Sequence, residues 1–173
     1  RTAMSTASQG FPISPERFPV RVLMERRSLR GNPWVQETWH ALGVMVGAGQ
    51  GAASDHPAAV VRGPDSTQFM WRGLSVQFHP DEAESYYHNL TVEQPACYVV
   101  THTRRDGTPE PFLVTVSFDA AQAYLEGDET VYSVPLPPEL YRAAETYVLA
   151  HYVPEKKHKR KLLSAKETFH GGH

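Results

Sequence analysis

The chain has 173 residues, 40% of them apolar and 21% charged, with a net charge of −2. That is enough for one domain with its own core, and it excludes a disordered or collagen-like chain. The single cysteine, Cys97, excludes an intrachain disulfide framework, and no apolar run approaches the roughly 18–20 residues of a membrane-spanning helix.

Residues 1–16 are rich in Ser, Thr, Gly and Pro and read as a flexible lead-in. Arg1-Thr2-Ala3 precede Met4 and read as a cloning remnant. No signal peptide is recognisable, so a cytoplasmic protein is expected, and the sequon at Asn89-Leu90-Thr91 carries little weight. A single domain is expected over residues 17–154.

The first strand is predicted over Phe18–Arg27. Phe18, Val20, Val22 and Met24 alternate with Arg21, Glu25 and Arg27, and Leu23 interrupts the polar register. Ser28 to Pro33 has turn chemistry, and a second strand is predicted from about Trp34 to Val46. Gly47 to Pro57 is a glycine-rich loop. It lacks the Lys-Ser or Lys-Thr of a phosphate loop and reads as surface.

Short strands are predicted at Ala58–Arg62 and Gln68–Arg72, with a third where Leu74, Val76 and Phe78 alternate. Asp81–Tyr87 reads as one helical turn or a loop, and Leu90–Glu93 as a strand fragment. Cys97–Thr103 and Phe112–Phe118 read as a hairpin around an Asp106-Gly107 turn. Asp119 is the expected N-cap of a helix over Ala120–Glu126, and Glu129–Val134 is a further strand. Pro137-Pro138 opens a longer helix. Its Leu140, Ala143, Ala144, Tyr147, Val148 and His151 share one face.

Strands come first and helices last, without βα alternation. The expected class is α+β: a mostly antiparallel sheet or half-barrel of about six to eight short strands, with a short helix and a C-terminal helix packed on it.

Charge is unevenly placed. Six basic residues against two acidic ones put residues 155–173 at +4, so residues 1–154 carry about −6 of the whole-chain −2. The basic segment reads as a flexible tail. Its Lys156, Lys157, Lys159, Arg160 and Lys161 could meet an acidic partner. Nucleic-acid binding through the tail is the weaker reading, because the acidic body repels phosphate.

No catalytic signature is present. His79, Glu82 and His88 are weak metal candidates, with no HExxH or CxxC spacing to support them. The expectation is therefore no cofactor and no defined metal site. Cys97 heads an apolar run and reads as a buried small hydrophobe. Ser75 and Ser117 read as strand residues, outside any Gly-x-Ser-x-Gly elbow. Glu25, Glu37 and His40 could face one another across the first two strands, although a Glu37–Arg21 cross-strand pair explains them as well. Tyr86 and Tyr87 beside Arg104 and Arg105 could form a base-stacking surface.

Several blocks carry a family likeness: FPVRVLMERR with Trp34, ETWHALGVMVG, FHPDEAESYYHNLT, VTVSFDAAQAYLEGDETVYSVPLPPEL and HYVPEKKHKRK. In these the chain resembles a proteobacterial family, domain of unknown function 3305, over roughly residues 18–161. Residues 47–66 and 162–173 fall outside the matching blocks. Members are often encoded in formate dehydrogenase gene clusters, which implies an accessory or assembly role near a molybdenum or tungsten enzyme. The resemblance carries no catalytic residues onto this chain.

The expected function is thus a non-catalytic interaction protein, with a formate dehydrogenase subunit or a cluster-encoded protein as partner. Arg21, Arg27, Trp34 and Trp39 are its expected contact residues, since Arg and Trp are favoured interface anchors. The alternative is a half-barrel, enzymatic or not, holding a small ligand in an apolar pocket with His40, His102 or Arg105 converging on it.

Overall fold

A computed structural model of the chain describes residues 16–29, 36–49 and 57–153. Strand β1 (Arg17–Ser28) pairs antiparallel with both β2 (Glu37–Val46) and β4 (Ser66–Gln77), and β3 (Ala58–Arg62) closes the row to give the order β2-β1-β4-β3. The alternation expected in β1 is present: Val20, Val22 and Met24 are completely buried on one face. Each such side chain contributes about 1.5–3 kcal/mol on leaving water, which is what orients this sheet.

β2 begins at Glu37 rather than at Trp34, which lies outside the described residues. Gln68–Arg72 and the Leu74–Phe78 run, expected as separate strands, form the single strand β4. Gly73 sits at φ +82 where β4 has two residues opposite Arg21. Only glycine takes that conformation without cost, so it bulges the strand instead of ending it.

After a 3-10 turn at Pro80–Glu82, helix α1 runs from Ala83 to Thr91. The stretch expected as one turn or a loop followed by a strand fragment is helical through Thr91. Ala83, Tyr86 and Asn89 recur at helical spacing and are all buried. Asn89 fixes the helix end. Its Nδ2 donates to the Ala96 and Val116 carbonyls at 2.7 and 2.9 Å, and its Oδ1 accepts from the Ala96 N–H at 3.0 Å. A side chain so enclosed cannot carry a glycan in the folded protein.

The second sheet has the order β6-β5-β7, built from β5 (Ala96–Thr103), β6 (Pro109–Thr115) and β7 (Thr130–Pro135), all antiparallel. Pro109 and Pro111 are tolerated because β6 is an edge strand. The β5–β6 hairpin turns at Gly107 (φ +86), with Asp106 accepting from the Thr108 N–H at 2.9 Å. Helix α2 (Phe118–Leu125) is capped by Ser117, not Asp119: the Ser117 hydroxyl accepts from the Ala120 N–H at 3.0 Å. Helix α3 (Pro138–His151) buries Leu140, Ala144, Tyr147 and Val148, four residues of the expected face.

The α+β class therefore holds, with seven strands and three α-helices among the described residues. The strands divide between two sheets and close no barrel. β4 lies against β6 and β2 against β7. The space between is filled by Val20, Val22, Met24, Trp71, Val99 and Val114, members of one buried cluster. α2 packs on β5, β6 and β7. Phe78 joins the first sheet to α1 and α3, with its ring 5.1 Å from Tyr86 (edge-on) and 5.3 Å from Tyr147 (stacked).

Candidate interaction face

The register of β1 separates its side chains into two sets. Phe18, Val20, Val22, Met24 and Arg26 point inward. Arg17, Arg21, Leu23, Glu25 and Arg27 point outward, beside Met45 and His40 of β2 and Met70 and Gln68 of β4. β6 and β7 pack against this sheet, and their Val114 and Val134 join the buried cluster of the inner set.

At the centre of the outer face are Leu23, Met45 and Met70, each half-buried. The arginines flank them. Arg17 donates from Nε to the Ser75 hydroxyl at 3.1 Å. Arg21 donates from Nε to the Gly47 carbonyl at 3.2 Å. Gly49 leaves Arg21 room, because a Cβ there would stand 2.8 Å from Arg21 Cδ. Arg27 donates to the Glu25 carboxylate, whose side chain is 9% exposed. Each of these contacts among the described residues occupies only part of a guanidinium with five donors. The face thus sets three arginines and one glutamate around an apolar centre, on a body that is net acidic.

Of the contact residues expected from sequence, Arg21 and Arg27 lie on this face and Trp39 does not. Trp39 is half-buried on the inner side, where its ring lies 5.6 Å from Phe69 and 6.4 Å from Trp71. Arg26 covers the cluster, with its guanidinium carbon 5.2 Å from the Phe69 ring and 6.0 Å from the Trp39 ring. Trp39 is a core aromatic with a cationic lid. Trp34, Lys156, Lys157, Lys159, Arg160 and Lys161 lie outside the described residues. Leu23, Met45, Met70 and Arg17, which the sequence does not single out as contacts, share this face with Arg21 and Arg27. Leu23 left a trace, as the apolar residue breaking the polar register of β1.

The other constellations come apart. Glu25 stands opposite His40, but Glu37 is on the inner side, 3.9 Å from Arg26, so the three do not converge. The expected Glu37–Arg21 pair is likewise absent, since Arg21 stands opposite Met45. Tyr86 is buried against Phe78, and burial pushes its phenol up to about 12. Tyr87 stacks on Tyr152 at 4.8 Å, so the two tyrosines offer no joint stacking surface. Arg104 binds Glu110 through two nitrogens at 2.9 and 2.8 Å.

His79, Glu82 and His88 do not meet as a metal site. The His79 backbone N–H donates to Tyr86, Glu82 accepts from the Ser117 hydroxyl at 2.6 Å, and His88 Nε2 lies 3.7 Å from Glu84. Among the described residues no group of three or more His, Cys, Asp or Glu could hold a metal ion. Burial pushes the Cys97 thiol up to about 12, which leaves it protonated and inert near neutrality.

Open grooves flank the proline segment Pro135–Pro138. One of about 760 Å³ is lined by Pro95, Leu136, Tyr141 and Arg142, and one of about 510 Å³ by Arg21, Leu42, Met45 and Leu136. None of His40, His102 or Arg105 lines either groove. His102 Nε2 instead lies 3.0 Å from Glu110. No described helix is long and apolar enough to cross a membrane.

No curated protein and no solved structure matches this chain. One family model does, over residues 19–161, most of the chain and all of both sheets from Pro19 onward. The chain accordingly belongs to the family described as Protein of unknown function (DUF3305).

Proposed function

We propose that this chain is a non-catalytic accessory protein that works by binding another protein, and that its partner is a formate dehydrogenase subunit or a protein encoded beside one. The observation that carries the first part is the outer face of the β2-β1-β4-β3 sheet. Arg and Met are enriched at protein interfaces while Lys and Glu are depleted, and this face sets three arginines, two methionines and a leucine beside a single glutamate, Glu25, with His40 and Gln68 next to it. The filled space between the sheets supports interaction over ligand storage, because a ligand-binding half-barrel needs an interior that side chains leave vacant. The formate dehydrogenase assignment rests on the gene neighbourhood that the family resemblance implies.

The test is co-expression of the chain with the subunits of a formate dehydrogenase from the same genome. The expected outcomes are co-purification with one subunit and lower formate dehydrogenase activity when the gene is deleted. Full activity in the deletion strain, with no co-purification, would falsify the assignment.

A further inference from the structure

The outer sheet face also specifies what kind of segment it takes. We infer that it docks an extended, acidic segment of a protein partner, with carboxylates meeting Arg17, Arg21 and Arg27 and apolar side chains covering Leu23, Met45 and Met70. This rests on the interaction reading above and names the chemistry of the partner.

Charge complementarity is the first argument. Residues 1–154 are net acidic by about six charges, yet Arg17, Arg21 and Arg27 share one face of one strand with only Glu25 beside them on that strand. Side chains four and six residues apart on a strand rising ~3.3 Å per residue stand about 13 and 20 Å apart. An extended partner of about ten residues spans the three, with carboxylates at matching intervals. Arginine is suited to this because its planar fork binds a carboxylate through two hydrogen bonds.

The apolar centre separates a protein segment from other anionic partners. Leu23, Met45 and Met70 lie between the arginines and are half-buried, with Met45 and Arg21 also lining the open groove beside Leu136. A phosphate backbone would leave these side chains uncovered or desolvate them without apolar contact, whereas alternating acidic and apolar residues match both parts. Nucleic-acid surfaces use basic patches on basic domains or aromatic stacking platforms, and this face has no Phe, Tyr or Trp at its paired positions.

A fluorescein-labelled peptide of about ten residues, alternating glutamate and leucine, tests the face directly by fluorescence anisotropy. The comparison ligands are a lysine–leucine peptide, a single-stranded DNA of matching length and vesicles containing anionic lipid. The full chain is expected to bind the acidic peptide in preference to all three. Arg21→Glu with Arg27→Glu is expected to weaken that binding about tenfold or more, with the thermal midpoint tracked to show that the fold persists. Arg17→Glu, at an exposed end of the strand, serves as an independent charge reversal. The inference is overturned if the acidic peptide does not bind, if reversal leaves its binding unchanged, or if DNA or vesicles bind more tightly and are the ligands lost on reversal.

The same variants mixed with purified formate dehydrogenase separate the two readings. A complex that survives both reversals sinks the face and leaves the partner standing. Peptide binding with no formate dehydrogenase complex sinks the partner and leaves the face.

Discussion

Asn89 ties helix α1 to the second sheet through its side chain. Its amide spends three hydrogen bonds tying the end of α1 to the first residue of β5 and to the chain just after β6. Alanine there leaves the Ala96 N–H and the Val116 carbonyl without their partner in a buried site, and each orphaned group costs about 1–3 kcal/mol. Asn89→Ala is therefore expected to lower unfolding free energy by about 3 kcal/mol, measured by urea titration with the m-value unchanged. A loss under about 1 kcal/mol would mean that water replaces the amide. Ser117 works in a similar way, since its hydroxyl accepts from Ala120 and donates to Glu82, joining the α2 cap to the turn before α1. Residues of this type are legible in sequence only as polar letters, because what they bond lies up to 35 positions away.

At the scale of elements, the β5–β6 hairpin holds a polar clamp. Arg104 and His102 both reach Glu110, and the Arg104 guanidinium holds the Glu110 carboxyl below the usual carboxylate range. A carboxyl with a depressed folded pKa contributes stability above its unfolded value of about 4.3. That contribution is lost as pH falls through the lower folded value. The side chain is partly exposed and solvent-screened, so the effect is small. Urea midpoints taken between neutral and acidic pH are expected to fall more steeply for the native chain than for Arg104→Gln. Parallel profiles would show that the clamp adds nothing.

β4 illustrates why element boundaries escaped the sequence. Gly73 reads as a break between two short strands, since glycine is poorly accommodated in a regular strand. Pairing with β1 on both sides of the bulge outweighs that local cost and makes the strand continuous. The α1 segment escaped for a related reason. The acidic run Asp81–Tyr87 reads as one helical turn or a loop, and packing against α3 together with the Asn89 clamp extends the helix to nine residues.

For the molecule as a whole, the buried aromatic cluster and the proposed recognition face lie on opposite sides of one sheet. Trp39 and the arginines of β1 are close in sequence, but the register puts Trp39 inside and Arg21 and Arg27 outside. Trp39→Ala is accordingly expected to cost about 2–4 kcal/mol of stability and to leave acidic-peptide binding intact. Arg21→Glu with Arg27→Glu is expected to do the reverse. Thermal denaturation and anisotropy on the same preparations read both effects. A Trp39 variant that keeps its stability but loses the peptide would overturn the division.

The sequence by itself determined the α+β class, the alternating inner face of β1, the hairpin, the apolar stripe of α3 and the family. All of these rest on local periodicity or on contiguous motifs. Only the tertiary structure decided that the strands form two sheets with a filled interior, and that Trp39 lies on the side of the sheet away from Arg21 and Arg27. It also decided that Glu37 pairs with Arg26, and that Leu23, Met45 and Met70 share one surface. Those outcomes depend on pairing register, and a shift of one residue moves every side chain of a strand to the other face. Register is set by the joint burial of residues far apart in the chain, which no local window contains.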